Sequence, residues 1–276
     1  TIAGLHNELG ELYGYKAQYD EALTSCREAL QLYRQIEDRK GEADALDNIG
    51  VVLRDLGDLD GAKENLERAL AVEEEVHGKD HPNVATHVNN LGLVLKELGD
   101  LDGAKENYQR ALEIDEAVYG KDHPNVAIHI NNLGTVLRDL GDLEGAKDNY
   151  QRALEIDEAV YGKDHPEVAI DVNNLGLVLR DLGDLDGAKK NYQRALEIDE
   201  AVYGKDHPNV AIRVNNLGGV LLALGDLEGA KEHLERALDI KERYLGADHS
   251  STQNTRRGLE IVQALLNSRA SKATAE

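Results

Sequence analysis

The stretch Gly120-Lys121-Asp122-His123-Pro124 decides the fold, because it returns at 78–82, 162–166 and 204–208, each time 42 residues away. A second segment, Asn131-Asn132-Leu133-Gly134, keeps the same register at 89–92, 173–176 and 215–218. A fixed period of roughly 20–50 residues marks stacked units, each of which buries its apolar face only against its neighbours. Such a chain presents one extended surface rather than one pocket, and that suits it to holding a partner.

Within one period the apolar pattern is helical. Pro124 fits the first turn of a helix, where its missing N–H is not needed. Val126, Ala127, Ile130, Leu133, Gly134, Val136, Leu137 and Leu140 then recur at three- and four-residue spacing, which predicts an amphipathic helix. Gly141-Asp142 stops it and caps the next helix, since glycine tolerates left-handed geometry and aspartate accepts from free N–H groups. Leu143, Ala146, Tyr150, Ala153, Leu154, Ile156 and Val160 form the core face of a second helix, which ends at Gly162. Each unit is therefore a helical hairpin, with small residues (Gly134, Ala146, Ala153) where its helices approach most closely.

Counting by the tight glycines Gly10, Gly50, Gly92, Gly134, Gly176 and Gly218 gives six hairpins, at about 1–37, 41–77, 82–119, 124–161, 166–203 and 208–245. A capping helix is expected at about 250–268. Its apolar side is Leu259, Ile261, Val262, Leu265 and Leu266, and Arg256, Arg257, Glu260 and Gln263 face water. Residues 269–276 read as a frayed tail. The expectation is one elongated all-α domain. It opens at Thr1, where a helix should already be under way, as in a piece of a longer protein.

The formal charge of −22, from 53 acidic against 31 basic residues, repels a phosphate backbone, so nucleic acid is excluded as a partner. No apolar run approaches the ~20 residues needed to cross a bilayer, so no membrane role is expected. The single cysteine, Cys26, leaves no internal disulfide framework and fits a reducing, cytoplasmic setting. It occupies the slot that Tyr108 and Tyr150 hold in later hairpins, which makes it a buried structural thiol. His81, His123, His165, His207 and His249 recur too far apart to share an ion, because packed helices lie ~8–10 Å apart and zinc wants its ligands ~2 Å from one point. His81 and His87, six residues apart, are expected on different faces. No phosphate loop, nucleophile elbow or His-Glu-x-x-His pattern occurs. The sequence therefore predicts no enzyme, no cofactor and no metal.

Leu133-Gly134, Leu137, Gly141, Leu143, Ala146, Tyr150 and Ala153-Leu154 resemble the tetratricopeptide repeat pattern. The 42-residue period is longer than the ~34 usual for that family. It is similar to the repeats of kinesin light chains, which share the Gly-x-Asp-His-Pro-x-Val-Ala linker and the Asn-Asn-Leu start. The resemblance implies a right-handed superhelical solenoid whose first helices line a concave groove. By position, the inward residues are then Asn89, Leu93 and Lys96 in the third hairpin and Asn131, Thr135 and Arg138 in the fourth. Asn173, Leu177 and Arg180 follow in the fifth and Asn215 in the sixth, with Ile128, Ile170 and Ile212 on the same stripes.

The chemistry of that face suits a peptide. Asparagine can donate to and accept from an extended main chain. The ladder Arg54, Lys96, Arg138 and Arg180 can pair with carboxylates, and the leucines and isoleucines offer apolar anchors. The expected function is a non-enzymatic protein–protein interaction module that binds an extended peptide of acidic and aromatic character, as the kinesin light chain resemblance implies. The alternatives are an assembly or sensor segment of a larger protein such as a signalling NTPase, able to associate end to end, or an idealised scaffold without a ligand. A structural reading stands beside the binding one. The asparagines can bond neighbouring helices, and each cation can reach an acid of the next hairpin.

Overall fold

A computed structural model describes residues 1–15 and 18–273. Among these residues there are thirteen helices and no strand: α1 (Ile2–Tyr15), α2 (Tyr19–Gln35), α3 (Arg39–Asp55), α4 (Leu59–His77), α5 (Pro82–Glu97), α6 (Leu101–Tyr119), α7 (Pro124–Asp139), α8 (Leu143–Tyr161), α9 (Pro166–Asp181), α10 (Leu185–Tyr203), α11 (Pro208–Leu224), α12 (Leu227–Leu245) and α13 (Ser250–Ala273). The chain divides into two compact units, Thr1–Gly141 and Asp142–Glu276. In the first unit, α1 to α6 each pack on the helix that follows, ending with α7; in the second, α8 to α12 do the same, ending with α13. This serial packing of helix pairs is that of a tetratricopeptide solenoid.

The two kinds of corner have separate local causes. Inside a hairpin, Gly57, Gly99 and Gly183 sit at φ of +84 to +88°, where a side chain would be strained. The aspartate that follows caps the next helix: Asp58, Asp100, Asp142, Asp184 and Asp226 each accept from the backbone N–H three residues on. Between hairpins the histidine of the repeated linker does the capping. His123 Nδ1 accepts from the Asn125 N–H at 3.2 Å, and its ring stacks on Tyr119 with centroids 4.5 Å apart. His165 on Tyr161 and His207 on Tyr203 repeat that stack, with Pro166 and Pro208 in the first turn that follows. The regular spacing of these histidines is thus accounted for by cap and stack.

Small residues mark the tightest contacts. A Cβ on Gly92 would lie 2.8 Å from the Tyr108 ring, and one on Gly176 the same distance from Tyr192. In the first hairpin the partner is Cys26, whose Sγ a Cβ on Gly10 would overlap. Cys26 is fully buried, and burial together with the charge of Glu11 pushes its thiol up to about 11, so it is held as an inert, neutral group.

The ends differ from expectation. The capping helix runs five residues beyond 268, to Ala273, and the expected fraying at 274–276 lies outside the described residues. Val262 is buried and Leu259 and Leu266 pack on the core, but Ile261 and Leu265 are exposed. The helical stripe 252-255-259-262-266 faces α12 and turns 261 and 265 outward. At the other end, α1 leaves Ile2, Leu5, Leu9 and Leu12 exposed along one side.

Candidate functional site

The odd-numbered helices α3 to α11 carry the candidate residues, and the asparagine ladder on them is in large part a joint between helices. Asn89 Oδ1 accepts from Asn132 Nδ2 at 2.9 Å and lies 3.2 Å from His129 Nδ1, tying α5 to α7. Asn173 Oδ1 accepts from Asn216 Nδ2 at 2.9 Å, tying α9 to α11, and Asn215 Oδ1 accepts from the Thr255 hydroxyl at 2.7 Å. Asp47 takes the same part for α3, accepting from Asn90 Nδ2 at 2.9 Å and contacting His87 Nδ1 at 2.8 Å. Asn131 is half-buried on α7, where the Thr135 hydroxyl donates to its carbonyl at 3.1 Å. The side-chain oxygens of Asn89, Asn173 and Asn215 are therefore each engaged within the fold. At Asn89 and Asn215 the amide N–H groups remain available to donate.

The basic ladder is paired as well, in two ways. Lys96 reaches Asp139 of the next hairpin at 3.7 Å, as expected from the spacing. Arg54 likewise reaches Glu97 of the next hairpin at 3.9 Å, but Arg54 and Arg180 also fold onto their own neighbours Asp55 (2.7 Å) and Asp181 (2.9 Å), an i,i+1 pairing that helical geometry had argued against. It becomes possible because both residues lie in the last turn of their helix, where the chain is about to leave it. Arg138 occupies the equivalent, half-buried place on α7.

Among the apolar candidates, Leu93 and Leu177 are half-buried, and Leu177 packs against the core around Tyr192 and Leu217. The truly exposed candidates are Ile128 in the first unit and Ile170 and Ile212 in the second, at 51%, 39% and 48% exposure. In the first unit a cleft opens between Glu11, Asp47, Asn48, Val51, Arg54, Asp55 and Asn90. Of these residues the sequence had named only Arg54 as a contact, because Asp47-Asn48 breaks the Asn-Asn pattern that marks the later hairpins. The 42-residue register alone, which sets Asp47 two places before Ile49-Gly50 as Asn89 stands before Leu91-Gly92, is the signal that finds it.

Sequence reasoning also missed a buried polar slot where one hairpin meets the next. Its members are Glu73/His87, Asp115/His129, Asp157/Asp171, Asp199/Arg213 and Lys241/Thr255, all buried. Asp115 Oδ2 meets His129 Nε2 at 3.0 Å, Arg213 Nε donates to Asp199 Oδ2 at 2.8 Å, and Lys241 Nζ donates to Thr255 Oγ1 at 2.9 Å. Burial pushes Asp171 up to about 9, with the charge of Asp157 adding to it, and burial also raises Asp157. That pair holds a shared proton at neutral pH. Burial lowers Lys241. Burial opposes the charged form of His87, but the hydrogen bond to Asp47 and the charges of Asp47, Glu73 and Asp44 outweigh it and raise its pKa.

The chain belongs to the tetratricopeptide repeat family, whose model matches residues 1–72, 41–116, 86–159, 127–171, 168–242 and 212–274. No curated protein matches it in sequence. Among solved structures it is similar to BtubC (BKLC) from P. vanneervenii, at 26% identity over 83% of this chain and 91% of that one, with a TM-score of 0.67. The nearly identical TPR-like repeats of a putative kinesin light chain from Podosopora anserina match at 18% identity, over 72% and 94% of the two chains, with a TM-score of 0.61. PilW, a type IV pilus biogenesis factor, matches at 18% over 92% and 98%, with a TM-score of 0.66. The last two share the fold. Proteins of this repeat family generally serve as non-enzymatic interaction modules. No helix among the described residues is long and apolar enough to cross a membrane.

Proposed function

We propose that the chain binds an extended peptide along its odd-numbered helices, with apolar side chains of the peptide seated at the exposed isoleucines. The observation that carries this reading is the exposure of Ile170 and Ile212, one repeat apart, beside Asn173 and Asn215 in the second unit. Large aliphatic side chains held at 39% and 48% exposure lose water when covered by a partner, about 25 cal/mol per Å2 of apolar surface. Asn215 Nδ2 supports the reading by offering N–H donors to the peptide main chain. In the first unit Ile128 and the amide of Asn89 repeat that combination, with Leu93 and Thr135 beside them. The ladder of Lys96, Arg138 and Arg180 favours acidic residues in the peptide. Those residues must displace Asp139 from Lys96 and Asp181 from Arg180, so apolar anchoring leads and acidity follows.

The test is a peptide-display selection on the intact chain and on Ile170→Glu/Ile212→Glu, which alters only exposed positions. An enriched motif with large apolar residues that the variant no longer selects supports the groove. The same motif on both proteins overturns it.

A second reading is favoured by the two terminal helices. Ile2, Leu5, Leu9 and Leu12 on α1, and Ile261 and Leu265 on α13, leave apolar faces uncovered, and contact between them would join copies end to end. Sedimentation over a range of concentrations checks this. Association that Leu5→Glu abolishes favours assembly, and a monomer throughout argues against it.

A further inference from the structure

Two residues set the junction between α4 and α5 apart from its sisters. Where α6 and α7 meet, the residues in register are Asp115, Tyr119, His123 and His129; between α4 and α5 they are Glu73, His77, His81 and His87. The longer acid and the extra imidazole converge. His77 Nδ1 lies 2.9 Å from Glu73 Oε1 and His81 Nδ1 lies 3.9 Å from it, while His87 Nε2 stands 4.0 Å from Oε2. The expected separation of His81 and His87 onto different faces does not hold. They approach opposite oxygens of one carboxylate, because His81 caps α5 from outside the helix and its ring turns back toward α4.

The sister junction is closed and this one is open. Asp115 and His129 bond directly at 3.0 Å. Glu73 is wholly buried, and neither of its oxygens has a hydrogen-bond partner; the approach of His77 has the distance of a bond without its alignment. His87 Nε2 is likewise buried and unpartnered. A buried carboxylate with no donor is costly, unless something else satisfies it. His87 is also oriented as metal-ligating histidines are. Its Nδ1 contacts the carboxylate of Asp47 at 2.8 Å, which leaves the lone pair of Nε2 toward Glu73.

We propose that Glu73, His77 and His81, with His87 on the far side of the carboxylate, bind a Zn2+ ion. The candidate donor atoms of the first three lie within 4.8 Å of one another. Donors each ~2 Å from one ion stand at most ~4 Å apart, so small rotations of the two partly exposed rings close the shell. His77 and His81, with 28% and 37% of their side chains exposed, give the ion its way in. The amide of Asn83 donates to His81 Nδ1 at 3.2 Å, so that nitrogen already carries its lone pair, and ligation there exchanges a cap bond for the metal. Two or three imidazoles with one carboxylate suit Zn2+ rather than Mg2+ or Ca2+, which take oxygen shells. Asp44 and Asp47 add negative charge close by.

The experiment is calorimetric titration of the metal-free full chain with ZnCl2, with Co2+ absorption as a report on coordination geometry. The comparison variant is Glu73→Asp/His77→Tyr, which rebuilds the pattern of the α6–α7 junction and so keeps a junction this fold already accepts. One tightly bound Zn2+ per chain, visible Co2+ bands of low coordination number, and at least ~100-fold weaker binding in the variant are expected. Asp47→Asn, the residue the later hairpins carry, should weaken Zn2+ by about 10–100-fold while still binding one ion. No saturable uptake by the wild-type chain overturns the site. So does uptake that survives unchanged in the double variant, which would place the metal among the other histidines.

Discussion

The α8–α9 and α10–α11 junctions present the same slot with opposite chemistry. In one, Asp157 faces Asp171; in the other, Asp199 faces Arg213, and all four side chains are buried. The surrounding hairpins are nearly identical in sequence, and the apolar neighbours match residue for residue: Val168, Ala169 and Val172 in one, Val210, Ala211 and Val214 in the other. The fold therefore dictates that this slot is buried but not what fills it. Each junction must neutralise its own polar pair, and these two do so by different means. A guanidinium meets the carboxylate in one, and a retained proton separates the two acids in the other.

The comparison breaks most visibly if the cation is removed. Arg213→Ala leaves Asp199, only 1% exposed, without the partner that donates to it at 2.8 Å. Loss of one member of a buried pair costs about 3–5 kcal/mol, so the urea midpoint of the variant should fall well below that of the wild type. A midpoint within error of wild type would mean that Asp199 finds water or takes up a proton at no cost.

The acid pair makes the opposite prediction, because its residue can be improved. Burial, with the charge of Asp157 beside it, pushes the Asp171 carboxyl up to about 9, far above the ordinary carboxylate range near 4. The folded state thus holds a proton that the unfolded state has released between those values. Stability from this site is complete below about pH 4 and is lost as pH rises through about 9. Asp171→His copies the closed Asp115–His129 pair of the α6–α7 junction. It should raise stability at pH 8 by about 1–3 kcal/mol and flatten the decline between pH 6 and 9.5. Denaturation midpoints across that range decide it. A parallel decline in both proteins would place the pH dependence elsewhere.

The fold was legible in the sequence because its determinants are local and repeated. Pro124, Gly141 and Asp142 fix where helices begin and end, and Gly92 makes room for the Tyr108 ring, which a Cβ there would meet at 2.8 Å; the 42-residue register displays such positions again and again. The candidate site was legible only as a stripe. Spacing puts Asn89 and Lys96 on one side of α5, yet it is silent on which partner claims each atom. Asn132 takes the oxygen of Asn89, and Asp139 takes Lys96, through contacts about one period apart. The junction slot was invisible for a related reason. Its pairs are always 14 residues apart but vary from Glu/His to Lys/Thr, so no motif announces them, and an acid such as Asp157 within a helix reads as a solvated face until the next hairpin covers it.

The smallest effect is expected where charges pair in the open. Arg180 bonds Asp181 at 2.9 Å, a shorter separation than that between Lys96 and Asp139, but its side chain is 38% exposed and that of Asp181 26%. Water screens such a pair and the long side chain loses freedom in forming it, so its net contribution is about 0–1 kcal/mol. Arg180→Ala should therefore shift the unfolding midpoint hardly at all, in contrast to Arg213→Ala at the buried slot of the next hairpin. A large loss on Arg180→Ala would show that the exposed ladder, like the buried slot, holds hairpins together, and would remove Arg180 from the residues free to engage a peptide. An unchanged midpoint leaves its guanidinium exchangeable between Asp181 and a ligand carboxylate, which is what a binding face requires.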